Sequence, residues 1–126
     1  MDVLGMIYNE LIADPYIKEQ ASGRIKYYEY PETGNVTAPY IVIAPLDAPL
    51  PKDYADNQWL TYDCLFQIDV WSKNRILTET IADKIRDVMW KLNFAQSSGP
   101  KEYEDGIFRD ARRYRGKLYR EDFNNL

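Results

Sequence analysis

The sequence has no histidine, a single cysteine, and no apolar run near the roughly 18 residues a membrane-spanning helix requires. Without histidine, Ser-His and Cys-His nucleophile pairs cannot be built, and the commonest general base is missing. Cys64 has no second cysteine with which to close an internal disulfide. Zinc normally takes several Cys or His ligands, so a zinc site is also excluded. No Gly-rich phosphate loop and no calcium-loop spacing occur. The first residues carry no signal-peptide pattern, so a soluble, cytosolic product is expected. These absences leave little room for an enzyme and imply no cofactor.

What the chain does have is 126 residues, enough for one domain spanning 1–126 with a modest core. Hydrophobic residues make up 45%, a content that folds rather than staying disordered. Eleven tyrosines and three tryptophans suit half-buried sheets and interfaces, because an apolar ring with a polar tip tolerates both.

Residues 2–13 place Leu4, Ile7, Tyr8, Leu11 and Ile12 on one face of a helix, with Asp2 as N-cap and Asp14-Pro15 as stop. RIKYYEY (24–30) and PYIVIAP (39–45) read as strands. The stretch from Ala44 to Gln58, with its prolines and acidic residues, reads as a long loop. In 59–71, Tyr62, Cys64, Phe66, Ile68 and Val70 alternate with more polar neighbours, the pattern of a half-buried antiparallel strand. Cys64 falls on the apolar face as a small buried hydrophobe. A helix follows, with Leu77, Ile81, Ile85, Val88 and Leu92 as its stripe, Ser72 or Asn74 as cap, and Met89 and Trp90 at the core edge. After SSGP (97–100) come one or two strands with Asp105-Gly106 as turn or bulge; the uneven phase of the last segment predicts a bulge or bend. The order predicts an α+β fold: a mainly antiparallel sheet of about four or five strands packed against two helices.

Charge is unevenly placed. Residues 1–108 hold 10 basic and 17 acidic side chains (−7), and residues 109–126 hold 6 and 3 (+3). Arg109, Arg112, Arg113, Arg115, Lys117 and Arg120 interleave with Tyr114 and Tyr119, which suits phosphate contact with base stacking. Against a nucleic-acid module stands a pI of about 4.8. Strand geometry also divides the charges, putting Arg109, Arg113, Arg115 and Lys117 on one face and Arg112 and Arg120 on the other. Contact between subunits is the alternative, since arginine pairs bidentately with carboxylates. Asp47, Asp53 and Asp56, or Glu102, Glu104 and Asp105, could in principle hold a hard cation, but solvated charge is the better reading.

The combination of TYDCLFQIDVWSKN, the helix ILTETIADKIRDVMWKLNF, the closing FRDARRYR and the preceding APYIVI resembles the tail terminator, or tail completion, proteins of phages with long non-contractile tails. Asp69, Val70, Trp71 and Ser72 match that family's strand-to-helix junction, and Arg113 and Tyr114 its closing strand. The resemblance implies a non-enzymatic virion protein that forms a homohexameric ring on the head-proximal end of the tail tube, assembled in the host cytoplasm. It implies contacts with the major tail tube protein, with a neck (stopper) protein and with genomic DNA passing through the bore, and none with a membrane. The basic strand is then expected to face a neighbouring subunit or the bore. The loop at 45–58 has no counterpart in that family's pattern; its own length and composition lead to the expectation that Asp47, Lys52, Asp53, Tyr54 and Asp56 form a docking loop that orders on assembly.

Overall fold

The structure, a computed structural model, describes residues 2–126. Its core is a pair of long antiparallel strands, β4 (Gln58–Ser72) and β7 (Ile107–Tyr119), which pair without interruption from Thr61↔Tyr119 to Ser72↔Phe108. Each is flanked by a strand broken in two. Beside β4 lie β2 (Tyr40–Pro45) and β3 (Leu50–Ala55); beside β7 lie β5 (Phe94–Ser97) and β6 (Lys101–Glu104). A short β1 (Ile25–Tyr27) runs parallel to β2 at the edge. The sheet therefore has seven strands, more than the four or five expected, because both flanking strands are interrupted and one edge strand was read as loop.

Among the described residues, four helices rather than two complete the fold. They are α1 (Val3–Ala13), α2 (Pro15–Ala21), α3 (Arg75–Lys91) and α4 (Arg120–Asn124). Pro15 ends α1 as expected, but it is also the first residue of α2. Proline suits that position because its missing N–H would be unpaired there anyway. The Asp14 carboxylate accepts hydrogen bonds from the backbone N–H of Tyr16 (3.0 Å) and Ile17 (3.1 Å), a cap worth about 1 kcal/mol. Asn74, one of the two expected caps, accepts from Leu77 N–H at 2.9 Å and starts α3.

The helices cover one face of the sheet. Ile7, Leu11 and Ile17 from α1 and α2, and Ile81, Ile85, Val88 and Met89 from α3, pack against Ile41, Ile43, Cys64, Phe66, Ile68, Val70 and Tyr114. Phe123 of α4 stacks on Tyr62 at 4.2 Å between ring centroids and closes the far end. Met89 is fully buried, not at the core edge, whereas Trp90 is exposed, because the two side chains lie about 100° apart around the helix.

The strand expected over 24–30 stops at Tyr27, because Tyr28 takes a left-handed conformation (φ 69°). The loop expected over 45–58 is mostly a β-hairpin. β3 pairs with β4 from Leu50↔Asp63 to Ala55↔Gln58, and Asp56-Asn57 form the two-residue turn with φ of 50° and 62°. The bulge expected in the last segment lies in its neighbour. Between Ser97↔Arg113 and Lys101↔Asp110 the β5–β6 side has one residue more than β7. Gly99 occupies this bulge, and a Cβ there would collide with the Ala111 carbonyl oxygen. Asp105-Gly106 is a tight turn, with φ of 52° and 81°.

Candidate functional site

The sheet face away from the helices carries four of the six basic side chains of the last segment. Pairing sets its rows: Tyr40, Trp71 and Arg109; then Val42, Asp69 and Ala111; then Ala44, Gln67 and Arg113. Leu65 with Arg115 and Asp63 with Lys117 follow. Arg109, Arg113, Arg115 and Lys117 thus share this open face, as the alternation of a strand requires. Arg112 lies on the helix side.

The register supplies most of these cations with partners inside the chain. Arg109 donates to Asp69 at 2.8 Å and Glu102 at 3.0 Å, and its guanidinium lies 5.3 Å from the Trp71 ring centre. Arg115 pairs with Asp63 at 2.7 Å. Lys117 reaches across β4 to Asp53 at 2.9 Å, and Asp53 also accepts from the Thr61 hydroxyl at 2.6 Å. Those two donors, Thr61 first and Lys117 second, hold the Asp53 carboxyl below its usual range. The negative charge foreseen on a neighbouring molecule is therefore largely present on the adjacent strands of the same sheet.

Arg113 differs. Its Nε donates to Gln67 at 3.2 Å, and it has no carboxylate partner among the described residues. Gln67 turns its amide N–H₂ to Asp69 at 2.9 Å, so Arg113 sits at the end of a relay that begins at the Asp69–Arg109 pair. Arg120, the first residue of α4, also has no carboxylate partner among the described residues; it lies 4.4 Å from the Trp59 ring centre.

Arg112 belongs to the architecture. It grips Asp110 through Nε (3.0 Å) and a terminal nitrogen (3.2 Å), and it bonds Asp83 of α3 at 2.9 Å and Gln96 of β5 at 3.1 Å. Asp110 is 2% exposed. Burial works to lower the Arg112 pKa, but the hydrogen bonds to Asp83 and Asp110 outweigh it and leave the group firmly charged. This network fastens α3 to the sheet.

The expected docking residues do not form one loop. Asp47 lies in the bend between β2 and β3, Lys52, Asp53 and Tyr54 lie on β3, and Asp56 lies in the turn. Tyr54 is 70% exposed, so the hairpin does present an aromatic to solvent. Among the described residues, no three His, Cys, Asp or Glu side chains are placed to hold a metal ion, although Glu102, Glu104 and Asp105 line one cleft together with Arg109. Cys64 is buried, and desolvation pushes its thiol up to about 11, so it is poorly suited to act as a nucleophile. Among the described residues no helix is long and apolar enough to cross a membrane.

Sequence reasoning missed the aromatic ladder on the open face. Tyr30 stacks on Tyr40 at 4.2 Å, and Tyr40 on Trp71 at 5.2 Å, with Arg109 next in the row. Tyr30 comes from the segment between β1 and β2, which folds over the sheet to form a cleft. Only the register of β2 against β4 brings these residues together, although the aromatic content was a signal.

No family model matches the sequence, and no curated protein does. Solved structures do match in fold. One is a chain from the virion of a native gene transfer agent particle, with TM-score 0.66 and 15% identity over 90% of this chain and 91% of that one. A second solved chain has TM-score 0.55 and 13% identity over 94% of each. The helix-covered sheet is thus a fold this chain shares with a virion component along nearly its whole length.

Proposed function

We propose that this chain is a structural virion protein, and within that class a tail terminator: a subunit of a homohexameric ring that ends polymerisation of a phage tail tube and joins the tail to the capsid neck. The observation that carries the reading is the fold shared with a gene transfer agent virion chain over 90% of the sequence. The junction and closing-strand motifs seen in the sequence support the finer assignment. So does the chemistry of the open face, whose aromatic and charged side chains suit work by contact. The ring's other contacts in this reading are the tube protein on one side, a neck protein on the other, and DNA in the bore. The tube-end role is tested by polymerising the tube protein with and without this chain. A terminator gives short tubes carrying the chain at one end only. An unchanged length distribution, with no chain at the ends, refutes it.

A further inference from the structure

Two outer edges of the sheet carry backbone groups that the chain leaves largely unused. At one edge β1 pairs only with β2, and at the other β6 pairs only with β7. The Ile41 N–H donates to the Arg24 carbonyl and the Tyr28 N–H to the Ile43 carbonyl, so residues 24, 26 and 28 turn toward β2. By the alternation of a strand, Ile25 and Tyr27 point their N–H and C=O outward. Among the described residues the Tyr27 carbonyl accepts from the Glu29 N–H at 2.8 Å, and the other outward groups have no partner. At the other edge the Ala111 N–H donates to the Pro100 carbonyl, which turns residues 100, 102 and 104 toward β7 and leaves Lys101 and Tyr103 facing outward. Such edges are templates for a further strand. The two edges also match in direction. β2 and β7 are each antiparallel to β4, so β1 runs against β4 and β6 runs with it. They match in height as well. Lys26 lies in the open-face row of Val42, Asp69 and Ala111, and Glu102 in the next row, with Arg109 and Trp71. That offset of two residues is roughly 7 Å.

We propose that β1 of one copy of this chain adds as an antiparallel strand to the β6 edge of a second copy. Its Arg24, Ile25, Lys26 and Tyr27 then stand opposite Glu104, Tyr103, Glu102 and Lys101 of that second copy. The occupant follows from charge complementarity. Among the described residues Lys26 has no carboxylate partner, Glu104 has no cationic one, and Arg24 bonds only the carbonyls of Gln20, Ser22 and Pro39. This register sets both open-face cations of one edge against both open-face carboxylates of the other, and it lays the exposed Tyr103 ring against Ile25 on the helix side. Pairing either edge with its own copy in full overlap would instead set Lys26 against Lys26 or Glu102 against Glu102, and like charges directly opposite destabilise a sheet. The favoured contact is heterologous, the kind from which a ring closes. It rests on the homo-oligomer reading above and names the strands that would join the copies.

The test is a disulfide cross-link combined with sedimentation. Lys26 and Glu102 stand on opposite edges of one sheet, so cysteines at these positions can join only between copies. In the proposed register they form a non-hydrogen-bonded pair with Cα atoms about 4.5 Å apart, within the span of a disulfide. Mild oxidation of Lys26→Cys/Glu102→Cys should give a ladder of covalent multimers, and Lys26→Cys/Glu121→Cys, whose second cysteine lies on α4, should give none. Cys64 is buried and stays out of the reaction. Sedimentation over a concentration series at low salt takes the wild type, Lys26→Glu, Glu102→Lys and both reversals together. Thermal unfolding close to wild type confirms that each variant folds. The wild type assembles, each single reversal weakens assembly about tenfold, and the double reversal regains most of that loss. Wild-type assembly without the Lys26–Glu102 cross-link overturns this contact and leaves the ring reading standing. A double reversal no better than the single ones also overturns the pairing. A wild type that stays monomeric throughout overturns both.

Discussion

Replacing Arg112 with methionine tests how the helix layer is fastened to the sheet. The guanidinium makes two bonds to Asp110, whose side chain is 2% exposed, and one each to Asp83 and Gln96. Methionine keeps the stem and its packing but leaves the Asp110 carboxylate buried without its partner. Breaking a buried pair from one side costs about 3–5 kcal/mol. Asp83 is 49% exposed and water replaces much of its lost bond, so Asp110 carries most of the cost. For a chain of this size each kcal/mol shifts Tm by roughly 4 °C, so a fall of roughly 12–20 °C is expected. The control is Asp110→Leu/Arg112→Met, which removes both charges. Removing both members of a buried pair is often near neutral, so the double variant should regain at least half of the loss. Urea denaturation followed by circular dichroism gives both numbers. An Arg112→Met variant within about 1 kcal/mol of wild type, or a double variant no more stable than the single, would refute the reasoning.

Three further outcomes are expected. Gly99→Ala forces a Cβ into the Ala111 carbonyl and should cost more than about 2 kcal/mol, whereas Gly106→Ala, at φ 81° in open space, should cost about 1 kcal/mol; denaturation that ranks them the other way contradicts the bulge assignment. The Cys64 thiol is raised from 9.0 to about 11 on folding, so the unfolded chain loses this proton first and stability falls as pH rises from about 9 to 11. That loss is at most about 2–3 kcal/mol, and it should be absent from Cys64→Ala, in which an unchanged slope would refute the assignment. Among the described residues two of the six basic side chains of the last segment lack carboxylate partners, so any DNA binding should show a log–log salt slope of about 2 or less in magnitude; a slope near 5 would restore the nucleic-acid reading.

What could be read from the sequence follows from where each side chain goes. The alternation in β4 was legible because Cys64, Phe66, Ile68 and Val70 all enter one core, while Gln67 and Leu65 do not. The α3 stripe was legible for the same reason. β3 was not, because an edge strand with nearly every residue exposed needs no apolar alternation, and Pro51 beside Asp53 looks like loop chemistry. α2 was hidden by Pro15, which reads as a stop but also serves as a first helical residue. The split of the basic segment over two faces followed from period two alone. Its partners did not, because Arg109 meets Asp69, Arg115 meets Asp63 and Lys117 meets Asp53 across 40, 52 and 64 residues of chain. Such pairs become visible only once the register of the sheet is known, and the Tyr40–Trp71 stack is hidden in the same way.

The assignment to the tube end is tested most directly by imaging tails assembled in the absence of heads, with this chain labelled. The account predicts a ring of this chain at one end of every tail, the end that would meet the capsid, with tail lengths uniform. Headless tails that lack the chain, while complete particles carry it, would contradict a terminator and place the protein on the capsid side of the joint.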